Sequence, residues 1–360
     1  AGVYLSRFEI KSELSEINEI KFRSNPEALW LILGATLSPE DILLPANTSS
    51  KIQANEKWLP LSRPEKNIIK PGSALDLSSY MRRGTVDELG RIIIKDGHFV
   101  FEKHPEQRVR FLTDALTPHV DLAKLSHLEI EALAVEMRRN GYNMVRTHFL
   151  DQGLMSGASK DLEFNKEMLD KIDYFIFCIK KNGLYWKFDC MTSWIGYTPG
   201  NPMNAKDPKK GFKARIYYDP EVRKNWREGV EKFLCHVNPY TGKRPVDDPV
   251  LVMAVAFNEQ EFGFWRDFDT RWFLPRWREF LKNKYGTIEN LHKAWQKDSA
   301  KFKSFDEVPC MTGYDRNYSN VDAAEFLAPL EEEMLNWYET QMKEIGFKGY
   351  LVNYNCGKSQ

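Results

Sequence analysis

The 360-residue sequence predicts an α/β fold in which parallel strands alternate with helices, and three observations carry that expectation. From about residue 108, short apolar runs alternate with longer helix-patterned stretches. Two of those stretches close on the same stop signal, Asn140-Gly141 and Asn182-Gly183, because a left-handed Asn or Gly satisfies the last helix carbonyls. The run Pro249–Phe257 is apolar on consecutive residues rather than alternating, the pattern of a strand covered on both faces in a parallel sheet.

Taken in order, Arg108-Val-Arg-Phe-Leu112 reads as the first strand, followed by a helix over Leu125–Arg139. Tyr142–Phe149 reads as the second strand and Asn165–Lys181 as the next helix. Leu184–Asp189 is the third strand. Asp219 is placed to cap a helix over Pro220–His236, with proline at its first turn. Pro249–Phe257 is the fourth strand, a long helix covers Ala323–Ile345, and Tyr350–Tyr354 is the fifth strand. A doubly wound sheet would favour a glycine-rich turn after its first strand, and no Gly-x-Gly-x-x-Gly occurs. The alternation therefore points to a (β/α)8 TIM barrel, with only its first five strands read in this chain. Residues 108–360 are assigned to it. Residues 1–107 read instead as a mostly-β accessory region, with apolar runs at Ala28–Leu33 and Arg91–Lys95 and a hairpin signal at Asp96-Gly97.

Composition narrows the partners. Lys+Arg and Asp+Glu both total 51, so the basic excess that a nucleic-acid binder uses is missing. No apolar stretch approaches the length of a membrane span. The five cysteines (Cys178, Cys190, Cys235, Cys310, Cys356) form no Cys-x-x-Cys pair, and the seven histidines show no metal-ligand spacing. No cofactor or metal is expected. The thiols leave the compartment undecided, with a secreted or periplasmic setting expected ahead of a cytoplasmic one.

Polar residues gather where the strands stop, which in a barrel is where the active site is built. They are Arg146, Thr147 and His148 with Asp151 just beyond, then Asp189, Thr192, Ser193 and Trp194, then Asn258, Glu259, Gln260 and Glu261, then Asn353, Tyr354 and Asn355. Glu259 is the leading candidate for a general acid/base. Phe257, Phe262, Phe264 and Trp265 surround it in sequence, and desolvation there would favour the protonated form that an acid needs. Glu261 competes for the role. Asn258 is placed to contact a sugar hydroxyl, Arg146 to orient a carboxylate, and His148 to orient a hydroxyl. The plainer alternative for the last two is a buried ion pair and a satisfied core histidine. Trp194 and Trp265, in loops after strand ends, are expected as sugar-stacking platforms ahead of Tyr197 and Trp186, the last being placed in the core.

These residues resemble a clan-A glycoside hydrolase, the (β/α)8 group that includes families 2, 5 and 42. Asn258-Glu259 matches the clan's asparagine and acid/base glutamate at the end of the fourth strand. Trp277–Trp295 is similar to the stretch that follows that strand in family 42 β-galactosidases, with His292 in place of the usual asparagine. Gly72-Ser-Ala-Leu-Asp76, Lys95–Phe99 and Arg108–Phe111 are similar to bacterial cellulase-like family 5 proteins, and Arg146 stands where they carry an arginine. The resemblance covers about residues 70–357 and implies retaining hydrolysis of β-linked sugars. Its expected partners are an oligo- or polysaccharide and further copies of the chain as a homo-oligomer. The clan's nucleophile follows a seventh strand, whereas this sequence ends soon after the fifth, so the expectation is a fragment without its nucleophile. Two rivals stand beside this reading: a catalytically silent carbohydrate-binding barrel, and a non-hydrolytic sugar-processing barrel enzyme.

Overall fold

A computed structural model describes residues 68–200, 212–259, 270–296, 302–310 and 319–354. The chain divides into two compact units, Ala1–Asn67 and Ile68–Gln360. The sequence boundary at residue 107 falls inside the second, which is described here.

That unit opens with the short helix α1 (Val86–Leu89) and an antiparallel sheet of β1 (Ile92–Lys95), β2 (His98–Phe101) and β3 (His104–Arg108). Asp96 and Gly97 both take positive φ, the geometry of the two-residue hairpin turn expected there. Five strands then form a parallel sheet in the order β4-β5-β6-β7-β8. They are β4 (Thr113–Leu116), β5 (Met144–Thr147), β6 (Tyr185–Asp189), β7 (Leu251–Asn258) and β8 (Tyr350–Tyr354). The helices between them are, in order, α2 (Pro118–Asp121), α3 (His127–Arg139), α4 (Leu150–Leu154), α5 (Lys166–Lys181), α6 (Phe212–Arg215), α7 (Pro220–Cys235), α8 (Thr270–Tyr285), α9 (Ile288–Trp295) and α10 (Ser319–Ile345). None among the described residues is long and apolar enough to cross a membrane.

Strand order decides the architecture. A doubly wound sheet reverses its order at a switch point, but these strands neighbour one another in chain sequence. With right-handed crossovers, all the helices then lie on one face, as in the first five strands of a (β/α)8 barrel. Alternation along the strands fits this. Thr147 and Trp186 are fully buried on the helix side, joined by an indole N–H to hydroxyl bond of 3.0 Å, and Trp186 meets Phe233 of α7. Arg146, Lys187 and Asp189 take the opposite, inner face. The small sheet closes the N-terminal end of that face: Phe101 packs against Tyr185, whose hydroxyl donates to Gly90 O at 2.7 Å, and Phe99 against Tyr350.

One expected element moves. The first strand is Thr113–Leu116, not Arg108–Leu112, because Arg108 ends β3 and the next residues are held as an extended lead-in. The Asn143 side chain accepts from Leu112 N at 2.8 Å and donates to Arg110 O at 2.7 Å there. The helix ends follow local chemistry. Ser126 and Glu129 form a capping box on α3, and Asn165 and Asp219 cap α5 and α7.

Two consequences of packing are testable. A Cβ on Gly229 of α7 would lie 2.0 Å from the Tyr197 ring, which is itself fully buried. Gly→Ala in a helix normally gains about 1 kcal/mol, but here overpacking outweighs it. Gly229→Ala is expected to destabilise by about 1–3 kcal/mol, read as a lower urea midpoint.

The second concerns His236. Its Nδ1 faces Phe233 O, and its Nε2 lies 2.9 Å from both Asp173 oxygens. Both nitrogens must therefore donate, which is the imidazolium. Burial alone would push His236 down, but its bond to Asp173 raises it above the ordinary 6.5. Burial also pushes the Asp173 carboxyl up, against the pull of His236. A histidine raised by folding stabilises fully below its unfolded value and loses that contribution as pH climbs through its folded one. Tm is thus expected to fall as pH rises from 6.5 upward, with a flatter profile in His236→Gln.

Candidate active site

Three adjacent strand ends meet around Asp189, the last residue of β6 and fully buried. Arg146 of β5 grips it in two-pronged fashion: Nε lies 2.9 Å from Oδ1 and Nη2 2.7 Å from Oδ2. His148, one residue beyond β5, places Nδ1 2.8 Å from the same Oδ2, and Thr192 donates to it at 3.2 Å. The planar guanidinium suits this, because its fixed fork matches the two carboxylate oxygens.

Arg146 Nη2 also donates to Oδ1 of Asn258, the buried last residue of β7, at 2.5 Å. An arginine can only donate, so the amide oxygen must face it and the amide NH2 must turn the other way. The network thus leaves Asn258 with a donor group to offer.

Glu259 follows at once with φ of +52°, a left-handed conformation that a side chain bearing a Cβ rarely adopts. Phe149, directly after His148, does the same at +54°. Both turns fall just beyond a strand end of the polar cluster, where strained backbone commonly re-aims functional groups. The expectation that Glu259 is buried does not hold: its side chain is 48% exposed, because the left-handed turn takes it out of the apolar strand. Lys213 of α6, itself buried, brings Nζ to 3.9 Å from Glu259 Oε2.

Behind the cluster, Asp151 of α4 is fully buried and accepts from Thr192 N at 3.2 Å and Ser193 N at 2.9 Å. Burial pushes its carboxyl up. It ties the loop after β6 to the helix after β5, fixing Thr192 against Asp189. On the same end of the sheet, a cavity of about 330 Å³ opens between the segments after β4, β5 and β6, lined by His119, Gln152, Ser156, Ile195 and Thr198 among others.

Of the residues expected from sequence, Arg146, His148 and Asn258 are brought together, with Glu259 next to them. Trp194 is not an open platform. It is buried, with the Lys213 ammonium 4.8 Å from its ring centroid. Tyr197 and Trp186 are both core residues. Trp265, Gln260 and Glu261 lie outside the described residues, as does the side chain of Asn353, whose backbone belongs to β8.

Sequence reasoning noted Asp189 at its strand end and Asp151 just beyond another but gave neither a role, and missed Lys213. Register could have found the first: Thr147 pairs with Phe188, so His148 and Asp189 fall one step beyond on adjacent strands. Lys213 carries no such signal, being remote in sequence from every strand end.

No protein-family model matches the chain, and no curated protein matches it. Solved structures do. A β-galactosidase from the psychrophilic Marinomonas ef1 is 20% identical with a TM-score of 0.45, over 68% of this chain and 37% of that one. An endo-1,4-β-mannanase from Rhizomucor miehei is 18% identical with a TM-score of 0.38, over 47% and 48%. A glycoside hydrolase family 5 mannosidase from the same organism is 14% identical with a TM-score of 0.38, over 71% of each chain. The chain thus spans about half of the mannanase (48%) and just over a third of the β-galactosidase (37%).

Proposed function

We propose that this chain carries the acid/base half of a retaining site for β-linked glycosides, with Glu259 as proton donor to the leaving oxygen and then as base toward water. The observation that supports it most is the end of β7. There Asn258 is locked by Arg146, and Glu259 is turned by a left-handed residue to a half-exposed position beside it. That pairs a fixed amide donor for a sugar hydroxyl with a carboxyl free to exchange protons.

Double displacement also needs a second carboxylate about 5–5.5 Å from the first. Asp189 is a poor nucleophile because it is fully buried, and Arg146, His148 and Thr192 occupy its oxygens. The reading therefore places the nucleophile outside the described residues. Arg146 then acts through Asn258 and Asp189, holding the rim in place. The substrate class is an oligo- or polysaccharide.

Glu259→Gln in the full-length protein tests the assignment. The amide keeps the shape but cannot give up a proton, so hydrolysis of unactivated β-glycosides should fall steeply while binding persists. Wild-type turnover in that variant would overturn the role of Glu259.

A further inference from the structure

We infer that Asp189 holds His148 as its Nδ1–H tautomer, so that Nε2 faces the open end of the sheet as an acceptor for a ligand hydroxyl. Asp189 is a positioning residue in this account and His148 the group that meets ligand. Asp189 Oδ2 already accepts from Arg146 Nη2 at 2.7 Å and from Thr192 at 3.2 Å, so it offers lone pairs and not a proton to the imidazole 2.8 Å away. A neutral ring must then carry its proton on Nδ1, since the other tautomer would set two lone pairs against each other.

The ring has little freedom to escape this. Phe149 packs edge-on to it at 4.4 Å, and His148 N donates to Leu116 O at 2.8 Å. Nε2 carries no hydrogen bond among the described residues. The side chain is 25% exposed and its Nδ1 edge is covered by Asp189, so the accessible edge is the Nε2 side. An unprotonated Nε2 can only accept, so what it can take from a ligand is the proton of a hydroxyl such as a sugar ring carries. Only the identity of the ligand as a sugar rests on the glycosidase reading.

The test is 15N NMR of the histidine side chains in the full-length protein, at a pH where the ring is neutral, with His148 assigned by the signal lost in His148→Asn. The expected result is a protonated Nδ1 and an unprotonated Nε2, the latter shifting when methyl β-galactoside, β-glucoside or β-mannoside is added. A protonated Nε2 in the free protein would overturn the tautomer assignment. The expected tautomer with no response to any of these sugars would overturn the sugar reading and leave the tautomer standing. His148→Asn keeps a donor for Asp189 while removing the outer acceptor, so its sugar affinity should fall about tenfold with Tm little changed. Unchanged affinity would overturn the acceptor role.

Discussion

Arg146→Met is expected to destabilise the folded chain by about 3–5 kcal/mol, the largest loss predicted for a single side chain here. Asp189 is completely buried, and among the described residues the guanidinium is its one cationic partner with an obligatory charge. Methionine fills similar volume but leaves the fully buried Asp189 carboxylate without its guanidinium. The same substitution frees the oxygen of Asn258, so the amide loses its fixed orientation. Arg146→Lys should recover little, because a single ammonium cannot span both Asp189 oxygens and reach Asn258 as well. Urea unfolding measures this directly: the midpoint should drop with the slope unchanged. A loss below about 1 kcal/mol would match a solvated surface pair and contradict the buried network described above.

Glu259→Gln is expected to lower kcat/KM on alkyl β-glycosides by about 10²–10⁴-fold, the usual contribution of a general acid/base. Leaving-group dependence separates this from a structural effect. A dinitrophenolate departs without protonation, so the first step on dinitrophenyl β-glycosides should be far less affected than that on alkyl glycosides. A variant that merely distorted the end of β7 would lose both in proportion. The side chain is half-exposed, so stability should change little, and an unaltered Tm is part of the expected result.

Much of the sheet was legible because burial writes itself into composition. Leu251–Asn258 lies between helices and the inner face, and its run of apolar residues reads as a strand without any structure. The cap at Asp219 was equally plain, since its chemistry is local. β4 was missed for the opposite reason. Thr113 and Ala115 are exposed on the inner face, so the strand lacks the apolar pattern, while Arg108–Leu112 before it alternates persuasively.

At the site, sequence could name Arg146, His148, Asn258 and Glu259 because each stands at a strand end. It could not show that Asp189 joins Arg146 and His148, since that depends on the register between β5 and β6. Nor could it show that Glu259 turns left-handed, which converts an expected buried acid into a half-exposed one beside Lys213. A lysine from a helix remote in sequence is a tertiary fact, with no local pattern to announce it.

The proton-handling role of Glu259 is tested most directly by azide rescue of Glu259→Ala in the full-length protein, using a dinitrophenyl β-glycoside. Without the carboxyl, a small anion can enter the vacated space and attack the glycosyl-enzyme without base assistance. The account predicts a rate that rises with azide and a β-glycosyl azide product, the configuration that two successive inversions leave. Hydrolysis at the wild-type rate with no response to azide would contradict it.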